Sequence, residues 1–192
     1  AGIADDVAYA GGGYVLTAAG PGDSLGHLIT ILGNGATNHS AKTFTVTGTD
    51  ASGNAQTEGI AGPNGNVTVT TAKYFATVTS VTVSATTGAD TFDIGWTAAA
   101  VGAMLYLNYT RDNPFNVGVF CRIPSGSAGY GLEVTGDATP AGLDATSWIA
   151  HSTITGKSAT FAGAVTTPVL AIRLKMSSAG PINMTVIEPG EA

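Results

Sequence analysis

The sequence predicts an all-β protein built as an antiparallel, jelly-roll-like β-sandwich. Three observations carry that expectation. Threonine alternates with valine and other apolar residues through much of the chain. Gly, Pro, Asn and Asp interrupt the alternation at intervals of about eight to twelve residues, the spacing that sandwiches and barrels show. No long window carries the apolar stripe of an amphipathic helix.

The elements follow in order. His27-Leu-Ile-Thr-Ile-Leu reads as a strand that ends at the turn Gly33-Asn-Gly35. Thr43-Phe-Thr-Val-Thr-Gly-Thr49 places Phe44 and Val46 on one face and threonines on the other, because strand side chains alternate. Asp50-Ala-Ser-Gly-Asn54 then supplies a turn in which Gly53 suits the left-handed position of a bulged hairpin. Asn66 to Thr71 alternates again. So does Val78 to Ser84, which Gly88-Ala-Asp90 is expected to join to the return strand Thr91 to Trp96 as a hairpin. The Ala-rich piece from Thr97 to Met104 reads as a helical turn or a linker.

The second half repeats this grammar. Tyr130-Gly-Leu-Glu-Val-Thr-Gly-Asp137 resembles the segment that begins at Thr43, and Val169–Met176 with Ile182–Ile187 mirrors the hairpin from Val78 to Trp96. The reading therefore divides the chain into an N-terminal β domain, residues 1–97, and a C-terminal β domain, residues 98–192, with two tandem related units as one arrangement.

Charge narrows the function classes. The 192 residues hold 7 Lys and Arg against 13 Asp and Glu, a net charge of −6, and only 10% of the chain is charged. That is well below the quarter or so usual for globular domains. A charge-poor surface suits a subunit that lives inside an assembly; a compact β domain surfaced with Thr, Ser, Asn and Gly meets the same numbers. Nucleic acid is not an expected partner, because phosphate contacts need clustered Lys and Arg. Here Lys42, Lys73, Arg111, Arg122, Lys157, Arg173 and Lys175 are scattered, and only Arg173 with Lys175 shares one face of a strand. A membrane is not expected either: the longest apolar run, Ala98 to Leu107, is half the roughly 20 residues of a spanning helix. No basic segment precedes an apolar stretch near the start, so no signal peptide is expected in these residues.

Candidate chemistry is sparse. The histidines His27, His39 and His151 match no zinc spacing, and the one cysteine, Cys121, lies in the apolar run Val117 to Ile123, where it reads as a small buried hydrophobe. Gly22-Asp-Ser-Leu-Gly26 has the Gly-x-Ser-x-Gly spacing, but it leads into the strand at His27 and no Ser stands out in a strand-to-helix turn, so no nucleophile elbow is read. Asp50 to Asn54, with Glu58 downstream, offers oxygens at alternate positions, but Ala55 and Ala61 stand where a calcium loop needs Gly and Glu. A hairpin turn is the better reading. Gly11-Gly-Gly13 and Gly33-Asn-Gly35 lead into no helix and are read as turns. Asp90 with Asp93, and Asp5 with Asp6, read as solvated acids. The Asn-x-Ser/Thr triplets at Asn38, Asn66, Asn108 and Asn183 are what a Thr-rich chain produces by chance. Neither catalysis, a metal nor a cofactor is expected.

The large anchors are mostly core. Adjacent Tyr74 and Phe75 should point to opposite faces of a strand, which makes the outward ring a contact candidate, and Trp148 is a third. Unpaired sheet edges are usually guarded by charge, Pro or bulges. With few charges to spare, edges covered by a partner or by copies of the same chain are the expected solution.

The segments Thr43 to Asn54, Thr71 to Val83, Asn113-Pro-Phe-Asn-Val-Gly-Val119, Trp148 to Lys157 and Thr167 to Leu174 occur in this order across roughly residues 14 to 188. Together they resemble a family of small all-β tailed-phage virion proteins. Ala150 departs from the acidic residue the family leads one to expect before His151. The resemblance implies a structural protein of the virion, made in the host cytoplasm and placed on the capsid surface or in the head–tail region, with no catalytic residue to carry over. A capsid decoration (cement) protein docked on the major capsid protein, trimeric in one arrangement, is the first function it implies. A tail, collar, head–tail connector or fibre-base component is the alternative. From the residues alone, a carbohydrate-binding module with an exposed aromatic is a third.

Overall fold

The computed structural model describes residues 2–108, 115–137, 147–178 and 180–188. The chain is all-β and antiparallel, as the alternation predicts, and it divides into two compact units, residues 1–97 and 98–192. Arg111, Asn113 and Pro114 lie outside the described residues.

In the first unit the strands are β1 (Ala4–Ala10), β2 (Gly13–Tyr14), β3 (Gly26–Gly33), β4 (Thr43–Thr49), β5 (Ala55–Ala61), β6 (Thr68–Phe75), β7 (Thr77–Val83) and the start of β8 (Thr91–Val101). One sheet runs β6-β3-β8-β1 and the other β1-β2-β7-β4-β5. β1 belongs to both: Ala4, Val7 and Ala8 pair with β8, whereas Tyr9 and Ala10 pair with β2. Asp6 sits at a bulge within the pairing with β8, with φ of 47°, a left-handed conformation that Asp tolerates better than most residues.

Alternation explains the core, shifted once on β7 by the extra residue between Val78 and Ser80. On β4 Phe44 and Val46 point inward, on β3 Ile29 and Ile31, on β7 Val78, Val81 and Val83, and on β8 Phe92 and Ile94; all are buried together with Ile3 and Tyr14. Tyr14 stacks on Phe44 at 5.7 Å, and Phe92 tilts against Phe44 at 5.2 Å. Each such side chain contributes on the order of 1.5–3 kcal/mol by leaving water.

The hairpin β4–β5 forms as expected. Gly53 has φ of 84°, its N–H donates to the Asp50 carbonyl at 3.1 Å, and the Asp50 carboxylate accepts from the backbone of Ser52 and Asn54. That carboxylate is occupied by its own turn. The expected hairpin from Val78 to Trp96 does not form: β7 pairs with β4 and β2, while β8 pairs with β1 and β3. The seven intervening residues cross from one sheet to the other, so both strands face the same core from opposite sides. Nor is the segment after Thr97 a helical turn or linker, because β8 continues to Val101.

In the second unit, Ala100 and Val101 at the end of β8 pair with Met176 and Lys175 of β14 (Ala171–Met176). β14 also pairs with β9 (Leu105–Tyr106) and β11 (Tyr130–Thr135), and β11 pairs with β12 (Ile149–Ala150). A separate sheet holds β13 (Phe161–Val165), β10 (Val117–Arg122) and β15 (Asn183–Ile187), with β10 in the middle. The mirrored hairpin expected of β14 and β15 is also a crossing between sheets, since each pairs elsewhere. The two units show no common strand plan beyond these crossings: the first joins two sheets through β1, and the second holds a separate three-stranded sheet.

Candidate interaction surface

The edges of the first unit seal each other. β5 and β6 end their respective sheets, and side chains of one bond the backbone of the other. Glu58 accepts the N–H groups of Ala72 and Lys73 at 2.8 Å each. Gln56 Nε2 donates to the Tyr74 carbonyl at 2.5 Å, and Lys73 Nζ donates to the Thr57 carbonyl at 3.0 Å. The expectation that a partner must cover such edges is thus corrected here: three polar side chains do it within the chain.

The three contact candidates from the sequence are all buried. Tyr74 and Phe75 pair in regular register with Leu28 and His27; Phe75 joins the core of the first unit, and Tyr74, outside that cluster, is buried as well. Trp148 lies beneath Arg173, with the guanidinium carbon 4.3 Å from the ring centre. Arg173 is itself 0% exposed, an arrangement the sequence did not suggest. Register sets Glu133 directly opposite it, and Glu133 Oε2 receives Arg173 Nε at 2.7 Å and Nη2 at 2.6 Å. Oε1 receives Lys175 Nζ at 2.7 Å. The shared face of Arg173 and Lys175 therefore serves one internal carboxylate rather than an external anion.

The histidines are structural fasteners. His27 contacts the Thr97 carbonyl at 2.8 Å through Nδ1 and Asp23 at 3.0 Å through Nε2. His39, buried against Phe92, donates from Nε2 to Asp90 at 2.9 Å and accepts at Nδ1 from Lys42 Nζ at 3.2 Å. Lys42 also donates to the Thr86 carbonyl at 2.6 Å, so the trio ties the segment 34–42 to the segment 84–90. The Thr37 and His39 side chains bonded to Asp90 hold its carboxyl below the usual range. His151 caps its own turn, accepting at Nδ1 from the N–H groups of Thr153 and Ile154. Asp93 accepts the Asp6 N–H at 2.9 Å and the Asn34 amide at 2.8 Å, which hold its carboxyl low as well. Asp90 and Asp93 are therefore bonded groups, not the solvated acids the sequence suggested. Burial pushes the Cys121 thiol up. Among the described residues no group of three or more His, Cys, Asp or Glu side chains could hold a metal ion.

What remains open is the outer face of the sheet β13-β10-β15. Phe120 is 46% exposed and Ile187 54%. Gly118 pairs with Ile187 and Ala164, and Phe120 with Thr185 and Ala162, so small residues flank the two apolar ones. Gly118 has no side chain to lift the Phe120 ring, and a Cβ there would sit 3.6 Å from it. Arg122 is the one charged residue on β10, β13 or β15, and it stands at the end of β10. Outer strands β13 and β15 pair only with β10 among the described residues. Sequence reasoning missed Phe120 and Ile187, although the alternation of Val117, Val119 and Cys121 inward already sets Phe120 outward.

No family model, curated protein or solved structure matches this chain.

Proposed function

We propose that this protein is a structural subunit that docks on a larger assembly through the outer face of the sheet β13-β10-β15. The exposed pair Phe120 and Ile187, on a strip whose one charged residue is Arg122 at its end and whose outer strands pair only with β10 among the described residues, is the observation that carries this reading. Buried apolar and aromatic side chains dominate the centres of protein interfaces, and charge is depleted there. The first unit seals its own edges and offers no comparable strip. The assembly in this reading is a tailed-phage virion, and the protein a decoration subunit on the major capsid protein. That part rests on the sequence resemblance and on a surface with few charges. The aromatic residues first considered as a sugar platform, Tyr74 and Trp148, are buried and lend no support to that use.

The test is location. Mass spectrometry of separated heads and tails from intact particles should find the chain in heads, in many copies. Recovery only with tails would replace the capsid reading by the tail or collar alternative. Phe120→Asp should abolish binding to particles while leaving the chain folded. Undiminished binding would overturn the docking face.

A further inference from the structure

Asn34 directly follows β3 and belongs to one of the two Asn-Gly pairs in the chain, Asn34-Gly35 and Asn64-Gly65. Its side-chain Nδ2 donates to Asp6 Oδ1 on β1 and to Asp93 Oδ1 on β8, at 2.8 Å each. Its own N–H donates to the Thr91 carbonyl at 3.0 Å. One amide thus bridges two carboxylates where β1 bulges against β8. Both Asn-Gly asparagines are exposed, but their backbones differ. Gly65 is left-handed, with φ of 72°, and its N–H donates to the Thr37 carbonyl at 3.1 Å. Gly35 is not in that conformation, and its N–H bonds no group among the described residues.

We infer that Asn34 is a site of spontaneous covalent modification, and that its deamidation releases β1 from β8 irreversibly. Glycine has no side chain to shield its nitrogen or restrict its backbone, so the residue before it is open to attack. The Gly35 nitrogen loses its proton to solvent base and bonds to Asn34 Cγ. The Cγ–Nδ2 bond breaks, and Nδ2 takes up a proton and leaves as ammonia. Water then opens the cyclic imide at either carbonyl, giving aspartate or isoaspartate at position 34. Nothing is oxidised or reduced. The Asn64 pair is held back, because its glycine N–H is already engaged. At Asn34 the two acids tether the amide, so attack waits until β1 opens. Closing again is then blocked. The amide offered two donor hydrogens, whereas the carboxylate that replaces it offers none. Facing Asp6 and Asp93, it exchanges two charge-assisted hydrogen bonds for like-charge repulsion.

The test is to age the folded full chain at pH 8 and 37 °C and to map its peptides by mass spectrometry. The mass gain of an NH2-to-OH exchange is expected at Asn34 ahead of Asn64. Asp6→Gly, which suits the left-handed backbone there but removes one tether, should speed conversion at Asn34 severalfold and leave Asn64 unchanged. Asn34→Asp, the product made directly, should unfold roughly 4–8 °C below wild type and exchange the amides of β1 faster. If that variant does not fold, the deamidated fraction of aged wild type, separated by ion exchange, must show the same losses. No conversion at Asn34, or conversion at Asn64 first, would overturn the site. A wild-type midpoint with unchanged exchange in β1 would overturn the release.

Discussion

The Glu58 carboxylate reaches across from β5 to accept two consecutive backbone N–H groups of β6, those of Ala72 and Lys73. It stands in for the ladder that a paired strand would have supplied, where a bulge has already turned β6 away from regular pairing. Hydrogen bonds to a charged acceptor contribute about 1.5–3 kcal/mol each, less where water competes. Glu58→Ala is therefore expected to cost on the order of 2 kcal/mol in urea or thermal unfolding. It should also speed hydrogen exchange at Ala72 and Lys73 and promote self-association through the opened edge. Unchanged exchange at those two amides would show that the carboxylate does not hold the seam.

Glu133 and Arg173 call for a different experiment. Both are buried, so removing Glu133 takes the paired carboxylate away from the Arg173 guanidinium, at a cost of about 3–5 kcal/mol. Glu133→Leu is expected to destabilise the chain by that amount. Combining it with Arg173→Met should recover most of the loss, because the pair is then replaced by apolar groups of similar size. A double-mutant cycle by chemical denaturation reads the coupling. A simple sum of the two single effects would refute it.

Acid should act through Asp90 and Asp93. Both carboxyls have lowered folded-state pKa values: Asp90 through bonds from the Thr37 and His39 side chains, Asp93 through the Asp6 N–H and the Asn34 amide. A carboxyl depressed on folding contributes stability that is present above its unfolded pKa, about 3.9, and is lost as pH falls through the folded value. Unfolding temperature is thus expected to drop as pH falls below about 4. The drop should be smaller in Asp90→Asn and Asp93→Asn. Parallel curves for wild type and variants would rule these groups out.

Cys121 is buried on β10 and its thiol is pushed up by desolvation, so little thiolate forms. A thiol reagent at pH 8 should leave the native chain unmodified and react stoichiometrically once denaturant unfolds it. Rapid labelling of the native chain would contradict the burial.

Gly48 sits at a register shift between β4 and β7, where a Cβ would run into the Thr77 carbonyl oxygen. Gly48→Ala must push the two strands apart and is expected to cost about 1–3 kcal/mol, the range of overpacked sites. An unfolding midpoint equal to wild type would show that the strands separate freely.

Much of the fold was legible because it is local. Phe44 and Val46 alternate with threonine, and the Asp50 to Asn54 turn states its own geometry through Gly53. What the sequence hid is set by distant partners. Whether β7 and β8 form a hairpin depends on which sheet each strand joins, and the residues between them look the same either way. Tyr74 and Phe75 keep the register of regular alternation, yet both are buried, which the local pattern does not show. The burial of Arg173 depends on Glu133, forty residues earlier and aligned only by strand register. Of the open surface, Phe120 could have been read from its inward neighbours. Ile187 joins it only through the pairing of β15 with β10.

The passage of β1 from one sheet to the other carries a kinetic consequence. Ala4 finds its partner at Ile94, so this part of β1 waits for nearly the whole unit to be synthesised before it can pair with β8. Closing so long a loop carries an entropic cost before any contact rewards it, and topologies of this kind fold slowly. Until β8 arrives, Ala4, Val7 and Ala8 lack their strand partners, and the nascent chain passes through an aggregation-sensitive stage with that part of β1 unplaced.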